Sequence, residues 1–214
     1  MDAEIIEKAK LYIEKLMKSD CGGHDVSHSH RVYRTALRLA AEENADAFTV
    51  GLAALLHDAD DVKLFPETHE TKANAVSFMR SCGIEDSFID SVCRIIDEVS
   101  FKGADSVVPS TVEGKCVQDA DRLDAIGAIG VGRAFAYGGS RGRAMYDPKV
   151  SPKVGMSEKE YRASDSTTIN HFYEKLLLLK DLMNTSAAKR IAEERTKFMQ
   201  SFLDEFLLEW KGER

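Results

Sequence analysis

Asp46-Ala-Phe-Thr-Val50-Gly-Leu-Ala-Ala-Leu-Leu56-His57-Asp58 is the stretch on which the fold turns. Val50, Leu52, Ala53, Ala54, Leu55 and Leu56 leave almost no polar face over residues 46–57. A helix that is apolar all round is stable only when other elements surround it, so this one reads as a buried central helix. It ends on His57-Asp58, an awkward terminus for such a helix. Its last carbonyls already carry partial negative charge, and an aspartate adds to it unless a cation is present.

Moving outward, the flanking sequence supplies the layers that such a helix needs. Residues 3–18 carry Ile5, Ala9, Tyr12, Ile13 and Leu16 at spacings of three and four, and residues 28–42 carry Val32, Ala36, Leu39 and Ala40. Both are amphipathic helical patterns. Further helices are expected at 70–81 and 86–99, with Cys82-Gly83 as the stop between them. One helical segment rich in Ala and Gly is expected from about 112 to 137, then a long loop through Gly138-Gly139-Ser140-Arg141-Gly142-Arg143 and the prolines at 148 and 152. Ser157 and Glu160 fit a capping box. Helices at about 166–183 and 186–209 complete the chain, with Phe198, Phe202, Phe206 and Leu207 on one stripe. That stripe and Trp210 suit a core or an interface, which leaves the oligomeric state open. No β-alternation, repeat or linker interrupts the pattern. The expectation is a single all-α domain over 1–214, with a core at about 20–140 and the C-terminal helices at about 157–210 packed on it.

The 214 residues include 29 Lys and Arg against 36 Asp and Glu, a net charge of −7. Nucleic-acid binders and proteins drawn to anionic membranes show a basic footprint, so both classes are excluded. The acidic start Met1-Asp2-Ala3-Glu4 is no secretory signal, and no apolar run is long enough to span a bilayer. Cys21, Cys82, Cys93 and Cys116 include no C-x-x-C pair. Reduced thiols and a cytoplasmic location are expected.

Three clusters carry candidate chemistry. The first is His57-Asp58. The second is His28-Ser29-His30, preceded by His24-Asp25. Residues two apart on a helix point about 200° apart, so His28 and His30 do not share one ion. His28 aligns with Val32, Ala36 and Leu39, and His30 with Tyr33 and Leu37; spacing favours His28 only slightly. The third is Asp119-Ala120-Asp121-Arg122-Leu123-Asp124, three acids in six residues, leading into the small residues Ala125-Ile126-Gly127-Ala128-Ile129-Gly130. Each cluster alone also has an ordinary reading, as a satisfied core histidine, a solvated helix end or acids at a helix start.

In order along the chain, His28-Ser29-His30-Arg31-Val32, Leu55-Leu56-His57-Asp58 and Ala120-Asp121-Arg122-Leu123-Asp124 resemble the HD superfamily of metal-dependent phosphohydrolases. More narrowly, residues 119–130, 136–143 and 168–185 look like the small bacterial HD hydrolases of the YpgQ/YedJ type, a similarity reaching from about 20 to 210. The resemblance implies an HD-type helical bundle with a metal site in its core, held by His28, His57, Asp58 and Asp121. The H-x-x-R-V match is what selects His28 over His30. Two imidazoles and two carboxylates suit one divalent ion, Mn²⁺, Fe²⁺, Co²⁺ or Ni²⁺, with Mg²⁺ also compatible. His69 is the one further histidine placed to serve a second ion, so a dinuclear set is poorly supplied.

The resemblance also implies hydrolysis of a small phosphorylated substrate, a nucleotide, and within the narrower group nucleoside triphosphate pyrophosphohydrolysis. A nucleotidase or phosphodiesterase would use the same ligands, and a non-catalytic nucleotide-binding module would use the same scaffold. Asp61, four residues after His57, is a candidate base or ligand partner if the helix continues, and a surface acid otherwise. Lys63 and Arg122 are candidates for stabilising the reacting phosphoryl group. Lys102, Arg141 and Arg143 are candidates for holding substrate phosphates, each also readable as a solvated charge.

Overall fold

The computed structural model describes residues 2–17, 26–99, 106–155 and 166–214. Among them every regular element is helical, as the periodicity requires. The order is α1 (Asp2–Leu16), α2 (Val26–Glu43), α3 (Ala47–Leu56), α4 (Ala73–Ser81), α5 (Asp86–Val99), α6 (Val112–Asp124), α7 (Gly127–Ser140), α8 (Thr168–Glu174), a 3₁₀ helix (Leu176–Leu182) and α9 (Ser186–Lys211). They group into two compact units, with the division inside α6 after Asp121.

The first unit is built round α3. Asp46 caps it by accepting the Thr49 N–H at 2.8 Å, satisfying one of the donors that a helix start leaves over. Every residue from Val50 to Leu56 is buried, and α1, α2 and α5 pack against it. Each fully buried Val or Leu contributes on the order of 1.5–3 kcal/mol from area removed from water. The α2 stripe (Val32, Ala36, Leu39, Ala40) faces inward as its spacing predicts, and in α1 Ile5, Ala9 and Ile13 do so together with Ile6, while Tyr12 and Leu16 are half-buried. Gly51 allows the close packing, since a Cβ there would stand 3.0 Å from the Tyr33 ring. Cys116 is buried among apolar groups and acids, and that burial pushes its thiol up to about 12.

The second unit joins α7, α8, the 3₁₀ helix and α9. Phe202, Phe206 and Trp210 of α9 make ring contacts with Phe135, Phe172 and Tyr146, with Phe202 and Phe206 half-buried while Trp210 and Phe198 stay 47% and 50% exposed.

Three boundaries differ from the sequence-based expectation. The segment 112–137 is two helices. The chain turns at Ala125–Ile126, and Gly127 adopts φ +76°, a conformation that costs glycine little. Residues 138–140, expected in a loop, instead form the last turn of α7. The segment 166–183 breaks at Lys175 (φ −139°, ψ −59°) into α8 and the 3₁₀ helix. The capping box at Ser157 and Glu160 lies outside the described residues, as do Cys21, His24 and Asp25. No helix among the described residues is long and apolar enough to cross a membrane.

Candidate metal centre

The end of α3 supplies the first half of the centre. His57 is its C-cap, and beyond it the chain continues in tight turns, with Ala59 N–H bonding to the Leu56 carbonyl and Asp61 N–H to the Asp58 carbonyl. His57 itself keeps helical dihedrals (φ −59°, ψ −31°), so the two side chains reach the cluster from the very end of the helix. Both are buried, at 9% and 7% exposure. His57 Nδ1 lies 2.8 Å from the Ala54 carbonyl. A carbonyl only accepts, so Nδ1 carries a proton and Nε2 is the nitrogen that faces the cluster, with a lone pair to offer an ion when the ring is neutral.

The second half comes from α2 and α6. His28, 1% exposed, places its Nε2 3.3 Å from His57 Nε2 and 3.5 Å from Asp58 Oδ2. Asp58 Oδ2 is 3.4 Å from His57 Nε2. Asp121 Oδ1, from the last part of α6, stands 3.3 Å from His28 Nε2 and 3.9 Å from His57 Nε2. His30 points elsewhere, to Glu14 at 3.4 Å, so of the two histidines on α2 it is His28 that joins the cluster.

These separations test whether an ion fits. Atoms about 2.1 Å from one cation lie about 3.0 Å apart at a right angle and about 4.2 Å apart when opposite. All five distances, 3.3 to 3.9 Å, fall in that range. Two imidazole Nε2 atoms facing each other beside two carboxylates make a poor packing motif without a cation or proton among them. Among the described residues, His28, His57 and Asp58 are the group compact enough to hold an ion by mutual distances alone, and Asp121 adjoins it. Burial raises the Asp121 pKa, but the hydrogen bond from His28 and the charges of His28 and His57 outweigh it and hold the carboxyl below its ordinary value. Nitrogen and carboxylate donors of this kind take a divalent ion.

The other expected site residues fall in different places. Asp61 is not on a continuing helix. Its Oδ1 accepts the Lys63 N–H at 2.9 Å, closing its own turn, and the Lys63 side chain is exposed. Arg122 is buried and donates to the Leu182 carbonyl within the second unit. Arg141 is exposed and lies over the Tyr137 ring at 5.5 Å. Lys102 lies outside the described residues. His69 is not part of the cluster; its Nδ1 bonds the Asp60 carbonyl at 2.9 Å.

Arg143 has a further relationship, to His171 of α8. Burial, and then the charges of Lys175 and Arg143, press the His171 pKa down to about 3. His171 therefore stays neutral in the folded chain, while an unfolded chain binds a proton below about 6.5. Stability present above pH 6.5 is then lost as pH falls toward 3, by up to about 1.4 kcal/mol per pH unit. Urea unfolding at pH 7, 5 and 4 should show His171→Gln losing less stability than the wild type as pH drops. Parallel losses in the two proteins would remove His171 as the cause.

Comparison with known proteins agrees with this geometry. Residues 25–126 match the HD domain family, a span that contains all four clustered residues. YpgQ of Bacillus subtilis is 38% identical over 200 residues, covering 92% of this chain and 89% of YpgQ. The crystal structure of an HD-superfamily hydrolase from Bacillus thuringiensis superposes with TM-score 0.77 at 39% identity, covering 99% of both chains. The structure of Bacillus subtilis YpgQ in complex with ADP superposes with TM-score 0.74 at 36% identity, covering 94% of this chain and 95% of that one. With its buried His-Asp cluster at the end of an apolar central helix, the chain belongs to the HD superfamily of metal-dependent phosphohydrolases.

Proposed function

We propose that the protein is a nucleoside triphosphate pyrophosphohydrolase, releasing a nucleoside monophosphate and pyrophosphate, with His28, His57, Asp58 and Asp121 holding one divalent ion. The observation that carries this reading is the convergence of His28, His57 and Asp58 at 3.3–3.5 Å, with Asp121 Oδ1 adjoining them at 3.3 and 3.9 Å from the two imidazoles. The nucleotide enters through the similarity to YpgQ, whose structure is known in complex with ADP. Mn²⁺, Fe²⁺, Co²⁺ and Ni²⁺ suit the mixed imidazole and carboxylate set, and Mg²⁺ is compatible with it. When bound, such an ion supplies the positive charge that acidifies a water and polarises a phosphoryl oxygen.

The chain's own groups account for the rest. Asp58 and Asp121 together balance a divalent charge, and Nδ1–H of His57, fixed on Ala54, keeps its ring from rotating out of the cluster. Asp61 has one oxygen committed to the Lys63 N–H; its Oδ2 is proposed to orient the attacking water or take its proton. Lys63, exposed on the same turn, is proposed to neutralise charge developing on the phosphoryl oxygens.

The test is a nucleotide panel assayed with metal-stripped protein after Mn²⁺, Co²⁺, Ni²⁺ or Mg²⁺ is added back. Monophosphate with pyrophosphate is the expected product pair. Orthophosphate would identify a terminal nucleotidase instead, and tripolyphosphate a cut at the ester bond to the sugar. Binding without turnover under every ion would leave a nucleotide-binding module.

A further inference from the structure

Asp60 plays no part in the cluster, yet it is 5% exposed, with both carboxylate oxygens and its carbonyl hydrogen-bonded. Its two carboxylate oxygens accept the backbone N–H groups of Asn74 and Ala75, each at 3.0 Å. These are donors in the first turn of α4, which begins without a local cap. Lys72, at the N-cap position, adopts a left-handed conformation (φ 51°, ψ 39°) and its side chain makes no capping bond. Asp60 thus performs the capping from more than a dozen residues upstream.

The backbone beside it is tied to the same place. The Asp60 carbonyl accepts from His69 Nδ1 at 2.9 Å, and the Ala59 carbonyl accepts from Asn74 Nδ2 at 2.9 Å. Asn74 Nδ2 also reaches Thr68 Oγ1 at 3.2 Å, and the Asn74 carbonyl accepts from Tyr12 Oη at 3.1 Å, anchoring the assembly to α1. Residues 59–60 are therefore clamped to α4 and α1 immediately after His57-Asp58. On the other side the same dipeptide is held by the end of buried α3.

The geometry points to Asp60 as the positioning residue of the metal centre: its remote cap on α4 fixes the turn that aims His57 and Asp58 at His28 and Asp121. The inference rests on the proposed ligand set. Only two residues separate the end of α3 from Ala59, so a shift of the clamp has no slack in which to be absorbed before it reaches Asp58. With Asp60 truncated, the buried Ala75 N–H and the half-buried Asn74 N–H lose their acceptors, and residues 59–60 lose their side-chain tie to α4, keeping the carbonyl bonds to Asn74 Nδ2 and His69 Nδ1. Partners that orient ligands from outside the coordination sphere typically govern metal affinity by about 10–100-fold.

The experiment compares Asp60→Ala, Asp60→Asn, Asp46→Ala and Asp121→Ala by Mn²⁺ titration calorimetry and by melting temperature of the chelated protein. Asp46→Ala is the control for a bond of the same type, since it removes the side-chain cap of α3 at the end far from the cluster. Expected for Asp60→Ala are a lowered melting temperature and a Mn²⁺ Kd raised by about tenfold or more, with turnover recovering at saturating Mn²⁺. Asp60→Asn, which keeps the shape and one acceptor, should fall between it and the wild type, and decides the matter if the alanine variant does not fold. Asp46→Ala should melt earlier with its Mn²⁺ Kd unchanged. Lowered melting temperatures with a wild-type Kd in both Asp60 variants would overturn the positioning role while leaving the site intact. A wild-type Kd in Asp121→Ala would overturn the ligand set itself, and the inference with it.

Discussion

Replacing Asp121 with alanine is expected to abolish stoichiometric metal retention and to lower turnover by well over the roughly 100-fold that loss of an outer orienting partner costs. The reason lies in charge and geometry together. Asp121 Oδ1 is within 3.3 Å of His28 Nε2 and 3.9 Å of His57 Nε2, and it supplies one of the two negative charges of the cluster. Without it, two imidazoles and one carboxylate face a divalent ion with a net positive charge left over in a mostly buried site. Folding should survive, because loss of the favourable contacts with His28 and His57 is partly offset by removal of the repulsion between Asp58 and Asp121. The measurement separates these effects. Chelated wild type and chelated variant should melt at similar temperatures. Mn²⁺ at about 100 times its wild-type Kd should then stabilise the wild type by about 2.7 kcal/mol and the variant by almost nothing. An equal Mn²⁺-dependent rise in both proteins would reject Asp121 as a ligand.

Gly130→Ala should destabilise the second unit by about 3 kcal/mol, the upper end of what overpacking usually costs. A Cβ at Gly130 would stand 2.3 Å from the Ala125 carbonyl oxygen and 2.6 Å from its carbonyl carbon. The obstacle is backbone, which cannot rotate aside as a side chain would. Here the chain leaves α6 through Ala125, Ile126 and left-handed Gly127, and α7 starts directly against that turn. Gly132, two residues on, provides the internal comparison, because nothing lies within 4 Å of a Cβ placed there. Gly132→Ala should be neutral or stabilising by up to about 1 kcal/mol through helix propensity alone. Urea midpoints of the two variants should therefore diverge in opposite directions. A Gly130→Ala midpoint equal to that of Gly132→Ala would show that the turn is not packed against α7.

The two variants also mark how legible the chain was. The Ala and Gly richness after Asp124 reads as a close approach, and a close approach is what Gly130 makes. The position of the turn was hidden, because Ala125-Ile126 carries no Pro and no Asn-Gly signal to distinguish a break from a continuing helix. In α8 and the 3₁₀ helix the apolar run Leu176–Leu179 fits either winding, so the break at Lys175 left no periodic trace. Among site residues, spacing barely separated His28 from His30, whereas the structure parts them fully: one joins the cluster and the other pairs with Glu14. Asp61 was judged by its offset from His57, and that offset lost meaning once α3 ended at Leu56. Asp60 escaped notice beside it. The only sequence signal was indirect, the missing local cap before α4.

What the sequence determined alone was the helical class, the buried α3 and the identity of a metal-dependent hydrolase. Those follow from local periodicity and from an ordered set of residue types, both of which are properties of the chain in one dimension. The net charge of −7 belongs here too: it argues against a basic nucleic-acid or membrane footprint, and the proposed ion beside Asp58 and Asp121 would reconcile an acidic protein with the proposed polyanionic substrate. Only the tertiary structure decided which donors meet, which tautomer His57 holds, and which acid braces the turn beneath it. The meeting of donors and the brace depend on contacts spanning from 14 to 93 residues, which no periodicity encodes, and the tautomer on how the His57 ring turns back to the Ala54 carbonyl three residues before it.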